Sequence, residues 1–223
     1  MKKNKLTIYH GSREVVQKPE LNKGKPYNDY GRGFYCTESI ELAKEWACTE
    51  KDDGFVNTYE LDTEKLNILS LSDGKYNTLN WMALLLKHRT FSVSAPLAAQ
   101  AREYLLAYFL PDTSKADVII GYRADDSYFA FAEDFINNTI SLKQLSKAMY
   151  LGNLGEQVVL MSKKAFKVIY FIKSEPVNRR EWFPKRIRRD VIARKQYLSA
   201  GRNPADNTLN DLFVLDILRG GFV

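Results

Sequence analysis

The 223-residue chain has only two cysteines, Cys36 and Cys48, and only two histidines, His10 and His88. Neither pair has the close spacing of zinc ligands, which come a few residues apart. No metal is expected, and neither histidine belongs to a recognisable serine or cysteine triad motif. Two cysteines build no disulfide framework and point to a reducing compartment. Long apolar runs are missing as well. Nothing approaches the roughly 18 apolar residues of a membrane span. Met1 to Lys5 is basic, but the stretch after it alternates instead of forming an apolar signal core, so no signal peptide is expected. These absences predict a cytoplasmic protein with no membrane partner; a protein injected by a secretion machine would read the same way. Internal repeats and low-complexity linkers are also absent, and one domain over residues 1–223 is expected.

What is present suffices for a sizeable core, since 45% of the residues are hydrophobic and 13% aromatic. Leu6 to His10 alternates and predicts a strand with Leu6, Ile8 and His10 on one face. The stretch from Pro19 to Gly33 is rich in glycine, proline, asparagine and lysine and predicts a loop. Phe34 to Thr37 reads as a short strand, and Thr37 or Ser39 can cap the helix that follows. Further strands are predicted over Val56–Leu61, Val118–Gly121, Gln157–Met161 and Phe166–Ile172. Helices are predicted over 77–87, 95–110, 127–136 and 141–150, the last capped by Ser141. Strands gather at both ends and helices in the middle, which argues for an α+β fold with helices packed on small sheets.

The net charge of +6 is concentrated in one place. Eight basic residues and two acids, Glu181 and Asp190, lie between Arg179 and Lys195, and the rest of the chain balances. Pro184 reads as the opening of a basic helix running to about Tyr197, with Ile187, Val191 and Leu198 as its apolar stripe. On that reading Arg186, Arg188 and Arg189 face solvent or a macromolecular partner. Leu209 to Leu218 predicts a final helix.

Three segments stand out chemically. In Tyr9-His10-Gly11-Ser12 a histidine ends a strand beside a glycine, which would let a ligand approach the backbone. Gly31-Arg32-Gly33-Phe34-Tyr35-Cys36-Thr37 puts two glycines before an aromatic strand, with Tyr35 able to stack on a flat ring. It lacks the third glycine and the βαβ setting of a dinucleotide fingerprint. Leu154-Gly155-Glu156-Gln157-Val158-Val159-Leu160 leads a polar pair into an apolar strand. Alternation allows only one of Glu156 and Gln157 to enter a given cleft. Singly, these are ordinary features: a histidine beside a turn, a half-buried tyrosine, a polar strand edge.

In this order, the three segments resemble the ADP-ribosyltransferase superfamily, in the branch shared by diphtheria toxin and the poly-ADP-ribose polymerases. A bacterial family of that superfamily also shares stretches like Gly31 to Ala47, Gly121 to Phe129, and Leu151-Gly152-x-Leu154-Gly155-x-Gln157. The resemblance runs from Ile8 to about Leu218. It implies split antiparallel sheets, with residues 77–110 as a central helical insertion and 178–223 as a basic helical extension. It also implies NAD as co-substrate and His10, Tyr35 and Gln157 as the catalytic trio. His10 would hold the adenosine ribose, the Gly11 backbone the nicotinamide amide, and Tyr35 would stack on the nicotinamide ring. Ser12, Gly33 and Phe34 would line the NAD site. Many members carry glutamate where Gln157 stands. Glutamine keeps the hydrogen bond without the charge, which favours single transfer over polymer formation.

Arg123-Ala124-Asp125-Asp126-Ser127 follows a predicted strand, and either Asp126 or Ser127 can cap the next helix. The same loop could border the cleft, with Arg123 on the pyrophosphate. The expected activity is mono-ADP-ribosylation of a macromolecule, protein or nucleic acid. The resemblance further implies a bacterial toxin, of a toxin–antitoxin or defence system, with a small antitoxin protein as a possible partner. An NAD glycohydrolase and a non-catalytic module binding NAD or nucleic acid are the alternatives.

Overall fold

In the computed structural model, which describes residues 4–91, 95–124, 126–151, 155–201 and 211–221, the alternating N-terminal stretch forms β1 (Lys5–Ser12). Its antiparallel partner is β3 (Gly54–Asp62), which pairs on its other edge with β7 (Ile169–Val177). A second sheet runs in the order β2 (Phe34–Cys36), β6 (Glu156–Leu160), β5 (Val118–Tyr122), β4 (Ile68–Ser70). The expected split into two small sheets is therefore present, and the fold is α+β. One pair departs from the antiparallel expectation: β4 and β5 run parallel. Parallel neighbours need a long crossover. Residues 77–110 supply it as α2 (Thr78–His88) and α3 (Pro96–Tyr108).

That crossover is no appendage. Asn77 caps α2 through a capping box with Asn80, and Leu79 and Trp81 to Leu86 are all buried. They centre the largest apolar cluster, which joins α2 and α3 to β5, β6, α4 (Asp126–Ile136), α5 (Leu142–Ala148) and α8 (Val214–Leu218). Ser141 caps α5, as its position predicts. A second cluster, with Ile8, Tyr59 and Leu61 from one sheet and Cys36, Val118, Val158 and Leu160 from the other, packs the sheets together.

Ser39, not Thr37, caps α1 (Ile40–Ala47) by accepting from the Leu42 N–H. This helix lies across β1 so closely that a Cβ at position 11 would run into the Ala43 carbonyl oxygen. Glycine at 11 thus also answers a helix–strand contact, besides lying on the wall of the cavity at the junction of the sheets.

Two sequence expectations are corrected near the C-terminus. Phe166 and Lys167 belong to α6 (Lys163–Lys167), capped by Ser162, so the following strand starts only at Ile169. The basic helix α7 (Arg179–Gly201) begins five residues before Pro184 and carries that proline inside it. Ile187, Val191 and Leu198 are exposed, at 46%, 42% and 57%. The face turned inward carries Trp182, Arg186, Arg189, Ala193 and Tyr197 instead. Of the final predicted helix, Leu209 and Asn210 lie outside the described residues, and the helical turn seen is α8. Among the described residues no helix is long and apolar enough to cross a membrane.

Candidate active site at the parting of the sheets

The two sheets are stitched at one point. The backbones of Tyr9 in β1 and Thr37 after β2 exchange hydrogen bonds of 2.8 and 3.0 Å. At this junction lies a cavity of about 830 Å³, within the range of small-molecule sites. The loop from Arg13 to Gly33 borders much of it. Asn57, fully buried in β3, organises the start of that loop. Its amide nitrogen donates to the His10 carbonyl, the Ser12 hydroxyl and the Glu14 carbonyl, and its oxygen accepts from the Val16 N–H. The Tyr59 hydroxyl donates to the Val16 carbonyl.

His10, Tyr35 and Gln157, distant in sequence, all line this cavity. The His10 Nδ1 lies 2.7 Å from the Tyr35 carbonyl oxygen. A carbonyl only accepts, so Nδ1 carries the proton and Nε2 keeps a lone pair. Burial lowers the pKa of His10 below its usual 6.5, against the pull of that bond, and the ring is neutral at neutral pH. Phe34 lies beneath it, ring centroids 4.4 Å apart. The Tyr35 hydroxyl donates to the Gly31 carbonyl at 2.7 Å and accepts from the Tyr30 N–H at 3.0 Å. Gly31 adopts φ +79°, where a side chain would be strained and would strike the His88 ring. Burial pushes the Tyr35 phenol well up, so it stays protonated. With its hydroxyl engaged, Tyr35 has its ring to offer a ligand.

Gln157 is 4% exposed, and its amide nitrogen donates to Asp29 Oδ2 at 2.7 Å. A carboxylate oxygen can only accept from that amide, which fixes the amide's orientation and leaves Oε1 as an acceptor. Glu156 does not line the cavity. Its Oε1 is buried without a hydrogen-bond partner on the other side of the strand.

Asp29 is the residue that sequence reasoning missed. It is 5% exposed, accepts from the Ala124 N–H at 2.9 Å and from Gln157, and pairs with Arg89 at 3.1 Å. Burial pushes its carboxyl up, opposed by these donors and by Arg123. Its position in a polar loop carried no periodic signal. Its neighbour Tyr30 anchors the same loop by donating to the Tyr122 carbonyl, which also accepts from Trp81 Nε1.

The remaining expected residues divide. Ser12 lines the cavity, but its hydroxyl donates to the Glu14 carbonyl. Gly33 reaches the cavity, and a Cβ there would press on Val159. Arg123 lies over the Trp46 ring at the cavity wall, 4.6 Å from guanidinium carbon to ring centroid. The basic helix, whose arginines were expected to face solvent or a macromolecular partner, also reaches the cavity. Arg186 also lines the cavity, 4.0 Å over the same ring, and Arg189 grips the buried Glu45 with two hydrogen bonds of 2.8 and 2.9 Å. Asp125, Gly152 and Leu154 lie outside the described residues, as do the side chains of Asp126 and Ser127. Seven cationic side chains and three carboxylates line the cavity, a balance that suits an anionic ligand. Among the described residues no group of three or more histidine, cysteine or acidic side chains is placed to hold a metal.

No curated protein and no solved structure matches this chain. A family model does: the one described as a protein of unknown function, DUF3990, matches residues 6–171. That span takes in β1 through the start of β7, with His10, Asp29, Tyr35 and Gln157 inside it, and the chain belongs to the DUF3990 family.

Proposed function

We propose that this protein is an NAD-dependent mono-ADP-ribosyltransferase acting on a macromolecule, with an ADP-ribosyltransferase-like fold. The observation that carries the reading is the meeting of His10, Tyr35 and Gln157 in one cation-lined cavity between two sheets. On this reading the neutral His10 accepts a ribose hydroxyl at Nε2, and the Tyr35 ring stacks on nicotinamide. Gln157, its amide oriented by Asp29, accepts a hydroxyl of the nicotinamide ribose at Oε1. The bond between nicotinamide and the ribose C1′ breaks, and nicotinamide leaves as a neutral ring with the electron pair. The sugar passes through a cation-like transition state, which the Asp29–Gln157 pair favours by accepting hydrogen bonds as positive charge develops. A nucleophile on the acceptor then bonds to C1′ and loses its proton. Because the third position is an amide, one transfer per acceptor is the expected outcome.

Incubation of the protein with adenine-labelled NAD and a cell extract tests this. Label on a macromolecule is the expected result. Free ADP-ribose alone would make the protein a glycohydrolase, and unchanged NAD with no binding would overturn the reading.

A further inference from the structure

The α7 helix lies beyond the residues that the family model matches, yet it completes the cavity wall. Arg189 forks onto Glu45, which is 3% exposed, and this fixes the register of α7 on α1. One turn earlier in α7, and one residue later in α1, Arg186 comes to lie over Trp46. Arg123, arriving from the end of β5, lies over the same ring. Stacking on the flat face of the Arg186 guanidinium leaves its N–H edge, the part that grips phosphate bidentately. The two acidic side chains of α7 and the buried Glu45 are paired with other cations: Glu181 with Lys185, Asp190 with Arg194, Glu45 with Arg189. Arg186 itself makes no salt bridge among the described residues. An anion seated between the two guanidiniums would meet positive charge from both.

We infer that Arg123 and Arg186, set on Trp46 by the Glu45–Arg189 fork, form an anion subsite for the diphosphate of the dinucleotide. Naming the diphosphate of NAD as the anion rests on the function proposed above; the subsite itself rests on the geometry. Its consequence is that the C-terminal helix belongs to the ligand site and not solely to a partner surface.

Calorimetry with NAD, ADP and adenosine on the full chain tests it, using Arg186→Gln and, as a control for net charge, the exposed Arg188→Gln. Arg186→Gln is expected to weaken NAD and ADP by roughly ten- to a hundred-fold, the scale of a lost charge-assisted hydrogen bond, with adenosine unchanged. Arg188→Gln is expected to leave all three unchanged. Wild-type affinity for ADP in Arg186→Gln, or an equal loss for adenosine, would overturn the subsite. So would an effect confined to a single-stranded oligonucleotide, which would assign the anion to an acceptor. Should Arg186→Gln fail to fold, Arg186→Lys takes its place: it keeps the charge and loses the fork, and it too should weaken ADP. The readout needs no turnover. Loss of ADP binding in a protein that leaves NAD intact would sink the proposed function and spare the subsite. Normal NAD cleavage and ADP binding in the variant would do the reverse.

Discussion

Gln157 and Glu156 are neighbours whose side chains leave β6 in opposite directions. Replacing Gln157 with alanine should lower turnover by roughly a hundredfold, the scale of one lost transition-state hydrogen bond, while Glu156→Ala should leave kcat largely intact; steady-state kinetics on both variants decide it. Asp29→Asn makes a finer test. Its new amide can turn the Gln157 amide over and point N–H where Oε1 stood, so kcat should fall by roughly tenfold or more with KM little changed. An unchanged kcat would leave Asp29 a purely structural residue. His10 sets a pH dependence. Burial lowers its pKa below 6.5, so as pH falls the unfolded chain takes up the proton before the folded one. Its contribution to stability is complete above about pH 6.5 and is lost as pH drops through the lowered folded value. NAD affinity should likewise be flat above about pH 6.5 and fall below it, because Nε2 accepts only while neutral. Calorimetry across this range should show an acid-side midpoint under 6.5 that vanishes in His10→Gln.

Among the elements, α7 departs furthest from what its sequence suggests. Its aliphatic residues Ile187, Val191 and Leu198 fit a helical stripe, but that stripe is exposed. The helix is held by Trp182, which packs beside Ala43 and Val56, by Arg189 on Glu45, and by Tyr197, which stacks on Phe131 and donates to Asp134. Arginine stems and aromatic rings can make a docking face, and polarity periodicity does not score them that way. Breaking a buried ion pair by removing one partner costs about 3–5 kcal/mol. Arg189→Ala should therefore lower the urea midpoint markedly, whereas Arg188→Ala should not. By contrast, the helix starts at Ser39, Asn77 and Ser141 were legible, because a cap is a local contact between a side chain and the next few N–H groups. The misplaced strand at Phe166 has the opposite cause: the Ser162 cap turns a β-prone segment into one helical turn.

For the whole molecule, the cavity joins elements from both sheets, the long N-terminal loop and two helices, α1 and α7, so a ligand seated there should tie them together. Saturating NAD is expected to raise the unfolding free energy by about 2.7 kcal/mol at a hundred times its Kd, read as a thermal shift that nicotinamide alone does not reproduce. A shift absent in the wild type would count against NAD as the ligand.

The order of the three polar segments, the α+β class and most helix caps were written locally in the chain, because each depends on a few adjacent residues. The tertiary structure alone decided that Asp29, Arg89 and Gln157 share a network, that Gly11 yields to α1, and that Arg186 reaches the cavity. Those facts depend on how two sheets part and how a distant helix docks. A polar residue in a loop carries no periodic mark of the partner it meets more than a hundred positions away.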